Sequence, residues 1–206
     1  MKLLISQKED RNEHGVKIDS LELDYVKFFN NEGFEVIPVP NDWNALDLLL
    51  DNDIDAIVLS GGGDIAKQLN RNKIEKRMIE YSMVNDIPLL GICRGMQQIN
   101  RFFGGQLSPN KRHHEIRKHG LIITDNDLAH DLGRCRGPVN SYHNFAITEK
   151  GLANELEVFG ISNYGLIEGF FHTKREIAGI QWHPERMNGI SYWIDKYMIK
   201  FLKGEL

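Results

Sequence analysis

The chain has 206 residues, of which 41% are hydrophobic and 26% are charged, and its formal net charge at pH 7 is -4. This composition is typical of a globular protein with a sizeable core, and the weakly acidic balance argues against nucleic acid as a partner. No run approaches the roughly 18 apolar residues of a membrane span, and the first residues soon become charged, so we expect neither a membrane protein nor a signal peptide. The sequence contains no repeat or linker, which favours one domain over residues 1–206.

Strands and helices alternate through the first half of the chain. We predict strands at 2–6, 34–39, 55–60 and 87–92, and helices at 18–30, 42–50, 73–85 and 96–103. From residue 119 onward the pattern changes to short strands at 121–123, 139–147, 157–161, 165–171 and 176–182, followed by a closing helix at 190–202. The alternation predicts an α/β fold with a mostly parallel central sheet flanked by helices, with additional antiparallel strands. Function is expected where the parallel strands end.

One such strand end carries a cysteine between two glycines, in the sequence Gly-Ile-Cys-Arg-Gly at 91–95. G-x-C-x-G is the cysteine counterpart of the nucleophile elbow, a tight strand-to-helix turn that tolerates only small neighbours. A helix that begins there directs its N-terminal N–H groups at the sulfur, which favours the thiolate. The alternative is that Cys93 is an ordinary buried cysteine, and the two flanking glycines make this the weaker interpretation.

A histidine at the end of a second apolar run supplies a candidate base. The run at 177–180 leads into Gln-Trp-His-Pro-Glu, and the proline restricts the backbone of His183. Glu185 is close enough in sequence to accept the second imidazole N–H, as the acid of a triad does. A thiolate needs such a base within hydrogen-bond reach, so we predict that Cys93, His183 and Glu185 act together.

At this point the sequence resembles a known family. The segments Gly-Ile-Cys-Arg-Gly-Met-Gln, Gln-Trp-His-Pro-Glu and Leu-Ser-Gly-Gly-Gly-Asp look like signatures of the class I glutamine amidotransferase-like superfamily. Val-Asn-Ser-Tyr-His at 139–143 resembles the corresponding segment of its free-standing γ-glutamyl hydrolases, the peptidase C26 group. The resemblance covers nearly the whole chain, and the motifs occur in the family's order.

The resemblance implies a catalytic triad of Cys93, His183 and Glu185, and an oxyanion hole formed by the backbone N–H groups of Gly62 and Arg94. It further implies that a small-molecule γ-glutamyl substrate is bound by four side chains: Gln97, Ser141, Tyr142 and His143. The implied reaction is hydrolysis of a γ-glutamyl amide through a thioester, which requires no metal, cofactor or ATP. Many relatives have a proline soon after the glycine-loop aspartate, whereas this chain continues Asp-Ile-Ala-Lys at 64–67, so its loop is expected to shape the pocket differently.

Three functional classes are compatible with these residues. The first is a free-standing hydrolase, the second is a glutaminase subunit that passes ammonia to a synthase, and the third is a non-catalytic relative. The complete triad disfavours the third class, and the 139–143 segment favours the first. The leaving group stays open among γ-glutamyl-γ-aminobutyrate, γ-glutamyl polyamines, folate polyglutamates and a nucleotide-linked amide. The oligomeric state is likewise open.

A polar segment and a second cysteine have simpler interpretations. The histidines and glutamate near residue 115 lack the spacing of a metal motif, so we expect a solvated loop for His113, His114, Glu115 and His119. The surrounding basic run is expected to be solvated too, although it could attract an anionic leaving group; it consists of Lys111, Arg112, Arg117 and Lys118. Cys135 also lies in a G-x-C-x-G pattern but follows no apolar strand. Two cysteines are too few for a disulfide framework, and a thiol nucleophile needs reducing conditions, which predicts a cytoplasmic protein.

Overall fold

The computed structural model describes residues 1–50, 52–110, 118–186 and 189–206. The strands are β1 (Lys2–Ser6), β2 (Lys8–Arg11), β3 (Lys17–Ser20), β4 (Glu35–Val39), β5 (Ala56–Leu59), β6 (Leu89–Ile92), β7 (Ser108–Pro109), β8 (Lys118–Ile123), β9 (Arg136–Asn140), β10 (Phe145–Ala146), β11 (Leu156–Ser162), β12 (Ile167–His172) and β13 (Ile177–Ile180). The helices are α1 (Leu23–Asn31), α2 (Trp43–Leu50), α3 (Leu69–Asn85), α4 (Arg94–Phe102), α5 (Asn126–Asp131) and α6 (Tyr192–Leu202), with a short 3-10 turn at Glu149–Gly151. No helix in the described ranges is long and apolar enough to cross a membrane.

Nine strands form one mixed sheet in the order β4-β1-β5-β6-β13-β12-β11-β8-β9. The first five strands in this order are parallel to one another, and the remaining pairings are antiparallel. This confirms the predicted α/β fold with additional antiparallel strands. The carboxyl ends of β5, β6 and β13, three neighbours in the sheet, lie at one edge and lead into the glycine loop, the cysteine elbow and the histidine segment.

Helices cover both faces of the parallel half of the sheet. Alternate residues of β1 illustrate this, because Leu3 and Ile5 belong to one buried cluster and Leu4 to another. The first cluster includes side chains of α1, α5 and α6, and the second includes side chains of α2, α3 and α4. Strands buried on both faces read as continuous apolar runs, which explains why β5 and β6 can be predicted readily.

The predicted helix at 18–30 is wrong at its start. Residues 17–20 form β3, which pairs with β2 in a separate antiparallel hairpin, and α1 begins only at Leu23. Ile18 has the spacing of the first apolar residue of the helix, but its side chain is exposed. The hairpin is polar on both strands, so no alternation of apolar residues marks it in the sequence.

The region between 118 and 147 also differs from the prediction. The expected strand at 139–147 is two strands, β9 and β10, separated by residues 141–144, which leave the sheet. The helix α5 was not predicted; it is short and is capped by Asp125, whose side chain accepts the Leu128 N–H.

The prediction of a solvated loop at His119 is wrong. His119 lies in β8, which begins at Lys118, and its side chain is only 5% exposed. Side chains alternate between the two faces of a strand, so a buried histidine can directly follow an exposed lysine. The other residues of the predicted loop and basic run, His113, His114, Glu115, Lys111, Arg112 and Arg117, lie outside the described residues.

Candidate active site

Cys93 stands at a strained turn between β6 and α4. Its φ of 52° and ψ of -103° are unusual for a residue with a side chain, and its N–H donates to the Ile180 carbonyl at 2.7 Å. Both flanking glycines are sterically required. A Cβ on Gly91 would lie 2.6 Å from the backbone of Gly95, and a Cβ on Gly95 would overlap the Leu59 carbonyl of the neighbouring strand. The turn therefore has the geometry expected of a nucleophile elbow.

His183 and Glu185 follow β13, the strand beside β6. The His183 Nδ1 lies 2.5 Å from the Glu185 Oε1, and both side chains are almost completely buried. A carboxylate can only accept at neutral pH, so Nδ1 carries the proton and Nε2 is the ring nitrogen left for a reacting partner. The intervening segment is anchored by Trp182, whose Nε1 donates to Asp195 of α6 at 2.9 Å.

The buried side chain of Asn140 holds the backbone of His183. Its Nδ2 donates to the His183 carbonyl at 2.7 Å, and the His183 N–H donates to its Oδ1 at 2.8 Å. This pairing links the end of β9 to the histidine across 43 residues of sequence. The sequence patterns did not single out Asn140. The signal available was its place in the 139–143 segment beside residues already predicted to bind substrate.

Gly61 brings the cysteine and histidine together. A Cβ at this position would lie 2.7 Å from His183 Cε1, 2.9 Å from the Tyr25 hydroxyl oxygen and 3.4 Å from Cys93 Cβ. The glycine therefore packs against both members of the predicted pair. The Gly61 N–H donates to the Tyr25 hydroxyl at 2.8 Å, which fixes the start of the glycine loop. Burial and the nearby Glu185 charge raise the pKa of Tyr25, so its hydroxyl stays neutral.

The charge state of His183 suits a thiolate partner. Burial disfavours the imidazolium, but the negative charges of Cys93 and Glu185 and hydrogen bonds to both outweigh it and raise the pKa of His183 to about 10. The histidine is therefore protonated at neutral pH. It can stabilise a thiolate at Cys93 and supply a proton to a departing nitrogen.

A buried ionic network positions the glycine loop. Arg71 donates to the carbonyl of Gly62 at 2.8 Å and to that of Gly61 at 3.2 Å. A trans peptide directs its C=O and N–H to opposite sides, so the Gly62 N–H faces away from Arg71. The arginine is held in turn by Glu75, at 2.7 Å.

Glu75 also pairs with the side chain of Arg94, so one carboxylate joins the glycine loop to the helix after Cys93. Burial disfavours the carboxylate, but Arg94 and Arg71 outweigh it and lower the pKa of Glu75, which keeps the group charged. As the first residue of α4, Arg94 has a backbone N–H without an intrahelical acceptor. Both N–H groups predicted for the oxyanion hole therefore belong to segments fixed by the same carboxylate.

Gln97 lies one turn beyond Cys93 and lines a cavity of about 400 Å³. Its Nε2 donates to the Phe145 carbonyl at 3.0 Å, which fixes the side chain at the cavity wall. Arg101, one further turn along α4, lines the same cavity together with Asp64 of the glycine loop. The space therefore offers both a cation and an anion beside the elbow.

The other predicted substrate residues are divided between two places. The Tyr142 ring meets the His183 ring edge to face at 5.7 Å, and the Arg186 guanidinium covers it at 4.3 Å. Ser141 and His143 line a different, small buried cavity instead of the one beside Gln97. Their predicted contact with substrate stays a prediction.

Cys135 is exposed and precedes β9, so it does not stand at the carboxyl end of a parallel strand. Its distance in the sheet order from β6 separates it from the elbow, because β9 is the last strand on the antiparallel side. Of the two glycine-flanked cysteines, Cys93 alone lies beside His183.

Comparison with known proteins decides the family. The model of the class I glutamine amidotransferase family matches residues 18–193. The chain belongs to this family. The glutamine amidotransferase is 34% identical over 182 residues to the γ-glutamyl-CDP-amidate hydrolase of Campylobacter jejuni, a match that covers 85% of this chain and 84% of the relative. It is also 28% identical over 147 residues to the glutamine-hydrolysing GMP synthase subunit of Methanococcus maripaludis, covering 71% and 72% of the two chains.

Solved structures agree on the fold of this glutamine amidotransferase. A Thermoplasma acidophilum protein, named provisionally for its likeness to a GMP synthase subunit, superposes with a TM-score of 0.75 at 23% identity, covering 98% of this chain and 92% of that one. A glutamine amidotransferase from Thermotoga maritima gives 0.64 at 20% identity, covering 100% and 85%. The family and the fold predicted from the sequence motifs are confirmed, and the chain is an enzyme of the glutamine amidotransferase class.

Proposed function

We propose that the enzyme hydrolyses a γ-glutamyl amide with Cys93 as nucleophile, and that its substrate is γ-glutamyl-CDP-amidate. The products are then glutamate and cytidine diphosphoramidate. The observation that carries the reaction type is the strained elbow beside the buried His183–Glu185 pair. The substrate is supported by the name of the Campylobacter jejuni relative, which matches most of both chains.

In the first step the Cys93 thiolate attacks the γ-carbonyl carbon of the substrate. A carbon–sulfur bond forms, and the carbonyl oxygen becomes an oxyanion. The N–H groups of Gly62 and Arg94 are our proposed donors to this oxyanion, since Arg71 turns the first away from itself and the second begins a helix. A donor of this kind typically contributes about 2.7–4 kcal/mol to the transition state.

In the second step the tetrahedral intermediate collapses. The carbon–nitrogen bond breaks, and the His183 imidazolium gives its Nε2 proton to the departing nitrogen. The γ-glutamyl group remains on Cys93 as a thioester. Neutral His183 then takes a proton from water, whose oxygen attacks the thioester carbon. Breakdown releases glutamate and restores the thiolate–imidazolium pair, while Glu185 holds the ring through both transfers.

The cavity beside Gln97 fits the invariant half of such a substrate. Every γ-glutamyl compound with a free α-carbon end carries a carboxylate and an ammonium group. Arg101 and Asp64 line that cavity and offer one opposite charge to each. Gln97 contributes an amide close to Cys93. We therefore propose that the glutamyl end occupies this cavity and that the leaving group extends away from it.

A second function is supported by a different observation. The chain also matches the GMP synthase subunit of Methanococcus maripaludis over 71% of its length, so a glutaminase that delivers ammonia to a separate synthase is the alternative. Hydrolysis of γ-glutamyl-γ-aminobutyrate or a γ-glutamyl polyamine would use the same triad. A non-catalytic role is disfavoured, because the cysteine, histidine and glutamate are all present and adjacent.

The remaining parts of the proposal concern the enzyme's setting. We propose that it acts as one domain of the peptidase C26 type, without nucleic acid or membrane partners, in the reducing cytoplasm that a thiol nucleophile requires. A nucleotide phosphoramidate would serve as a donor for capsular polysaccharide modification, the role we propose for the product.

A substrate panel on the isolated enzyme tests this proposal. The panel contains γ-glutamyl-CDP-amidate, γ-glutamyl-γ-aminobutyrate, a γ-glutamyl polyamine and glutamine, and kcat/KM is measured for each. We expect turnover without a partner and the highest kcat/KM for the nucleotide amide. Preference for free glutamine would overturn the substrate assignment and favour the role of a glutaminase in a synthase complex. Preference for another γ-glutamyl amide would overturn only the identity of the leaving group.

A further inference from the structure

Two histidines and a glutamate converge in the antiparallel half of the sheet, apart from the triad. His119 comes from β8, Glu168 from β12 and His143 from the segment after β9. The Glu168 Oε1 lies 3.4 Å from His119 Nε2 and 3.8 Å from His143 Nε2, and one ligand atom from each of the three residues lies within 4.8 Å of the others. The three side chains are 5%, 2% and 1% exposed, for His119, His143 and Glu168 respectively. Residues from three separate elements thus meet at one buried point.

Hydrogen bonds orient both imidazoles toward that point. The His143 Nδ1 lies 2.9 Å from the Phe145 carbonyl, and the His119 Nδ1 lies 3.2 Å from the Gly120 carbonyl. A carbonyl oxygen can only accept, so each Nδ1 carries its proton and each Nε2 faces the carboxylate. Histidines that bind metals have this arrangement, in which one ring nitrogen donates to a carbonyl or carboxylate and the other binds the ion.

The space between these groups matches a single small particle. A cavity of about 10 Å³ is lined by the three side chains together with Asn110, Ser141 and Ser162. Neither carboxylate oxygen of Glu168 takes part in a hydrogen bond with the residues that the structure describes. No lysine or arginine lines the cavity within the described ranges. Burial of a carboxylate is costly unless a positive charge or hydrogen bonds compensate it.

We propose that His119, His143 and Glu168 bind one divalent transition-metal ion, of which Zn²⁺ fits the donors best. Two imidazole nitrogens and one carboxylate oxygen are a common zinc ligand set, and a fourth position is left for water. With zinc–ligand bonds of about 2.0–2.2 Å, a tetrahedral site separates its ligands by about 3.4 Å. The 3.4 and 3.8 Å separations are therefore close to those of a bound site, before any adjustment of the side chains.

The ion would stabilise the segment that carries the active-site supports. His143 lies three residues after Asn140, which holds the His183 backbone, and directly after Tyr142, whose ring contacts the His183 ring. Binding of His143 to a metal shared with β8 and β12 fixes this segment to the sheet. The site is thus a structural one, and its three ligands are positioning residues rather than groups that touch the substrate.

Zinc titration of the full chain tests the site. The purified enzyme is stripped with a chelator, dialysed and titrated with Zn²⁺ alone, while calorimetry gives the stoichiometry and thermal unfolding gives the Tm. We expect one ion per chain and a higher Tm with zinc. His119→Gln and Glu168→Gln should lose both effects. His130→Gln, at a histidine of α5 outside the cluster, should keep both. Cys93→Ala should also keep both, which excludes zinc bound to the catalytic thiol.

Two outcomes would overturn the proposal. One is the absence of saturable binding, in which case the cavity holds an ordered water only, or an imidazole–carboxylate pair. The other is equal binding by wild type and His119→Gln. Should the variants fail to fold, the Co²⁺ spectrum of the wild type decides the question alone. Tetrahedral nitrogen and oxygen ligation predicts intense visible bands without thiolate charge transfer, and a six-coordinate spectrum or none at all counts against the site.

Discussion

Substitution of Asn140 by alanine tests how the catalytic histidine is held. The asparagine makes two short hydrogen bonds to the His183 backbone, at 2.7 and 2.8 Å, and it is 1% exposed. Without the side chain, the N–H and C=O of His183 lose their buried partners. Each unsatisfied buried group costs about 1–3 kcal/mol, so unfolding free energy should fall by about 2–6 kcal/mol. For a chain of this size, the Tm should fall by at least about 4 °C.

The same change should slow the reaction while substrate binding is largely retained, because Asn140 contacts the histidine backbone and not the cavity beside Gln97. Displacement of a catalytic group by about 1 Å costs on the order of 10²-fold in rate. Denaturant unfolding and steady-state kinetics on γ-glutamyl-CDP-amidate measure the two effects. Asn85→Ala is the matched control, since the exposed Asn85 side chain bonds only within its own helix. A variant at Asn140 with unchanged kcat and a stability loss under about 0.5 kcal/mol, the usual range for surface changes, would refute the reasoning.

Three further predictions concern the loop, the charge of the histidine and the cavity. Gly61→Ala places a Cβ 2.7 Å from His183 Cε1 and should lower kcat about 10²-fold; Gly133→Ala, where nothing lies within 4 Å, should keep wild-type kcat, and equal kcat for both variants would contradict the packing argument. The raised pKa of His183, about 10 against an unfolded value near 6.5, should contribute stability that is complete below about pH 6.5 and lost as pH rises through about 10. Glu185→Gln should shrink that loss in denaturant titrations between these pH values, and an unchanged profile counts against the charge assignment. Arg101→Ala should raise KM several-fold at nearly constant kcat, whereas an unchanged KM would remove Arg101 from the proposed glutamyl site.

The chemistry at strand ends could be predicted because it depends on short segments. The apolar run before Cys93 and its two glycines are contiguous, and the structure shows why neither glycine can carry a side chain. His183 and Glu185 are also close in sequence, so their pairing needed no knowledge of the fold. The parallel sheet then followed from alternating strands and helices, and it brought these segments to one edge.

The supports of the site could not be predicted in the same way. Asn140 and His183 are 43 residues apart, and Ser6 and Glu75, which hydrogen-bond beneath the glycine loop, are 69 apart. No local pattern indicates such pairings, because they depend on which strands become neighbours. The prediction of a solvated loop at His119 failed for a related reason, since a polar residue at the start of a strand resembles loop sequence until its partners across the sheet are known.

Detection of the covalent intermediate tests the central claim most directly. The enzyme is mixed with γ-glutamyl-CDP-amidate, quenched with acid during turnover and analysed by intact and peptide mass spectrometry. We expect a mass increase of one γ-glutamyl group on the peptide that contains Cys93, present in Cys135→Ala and absent, along with activity, from Cys93→Ala. Product release by Cys93→Ala at the wild-type rate, or an adduct on Cys135 in its place, would contradict the account.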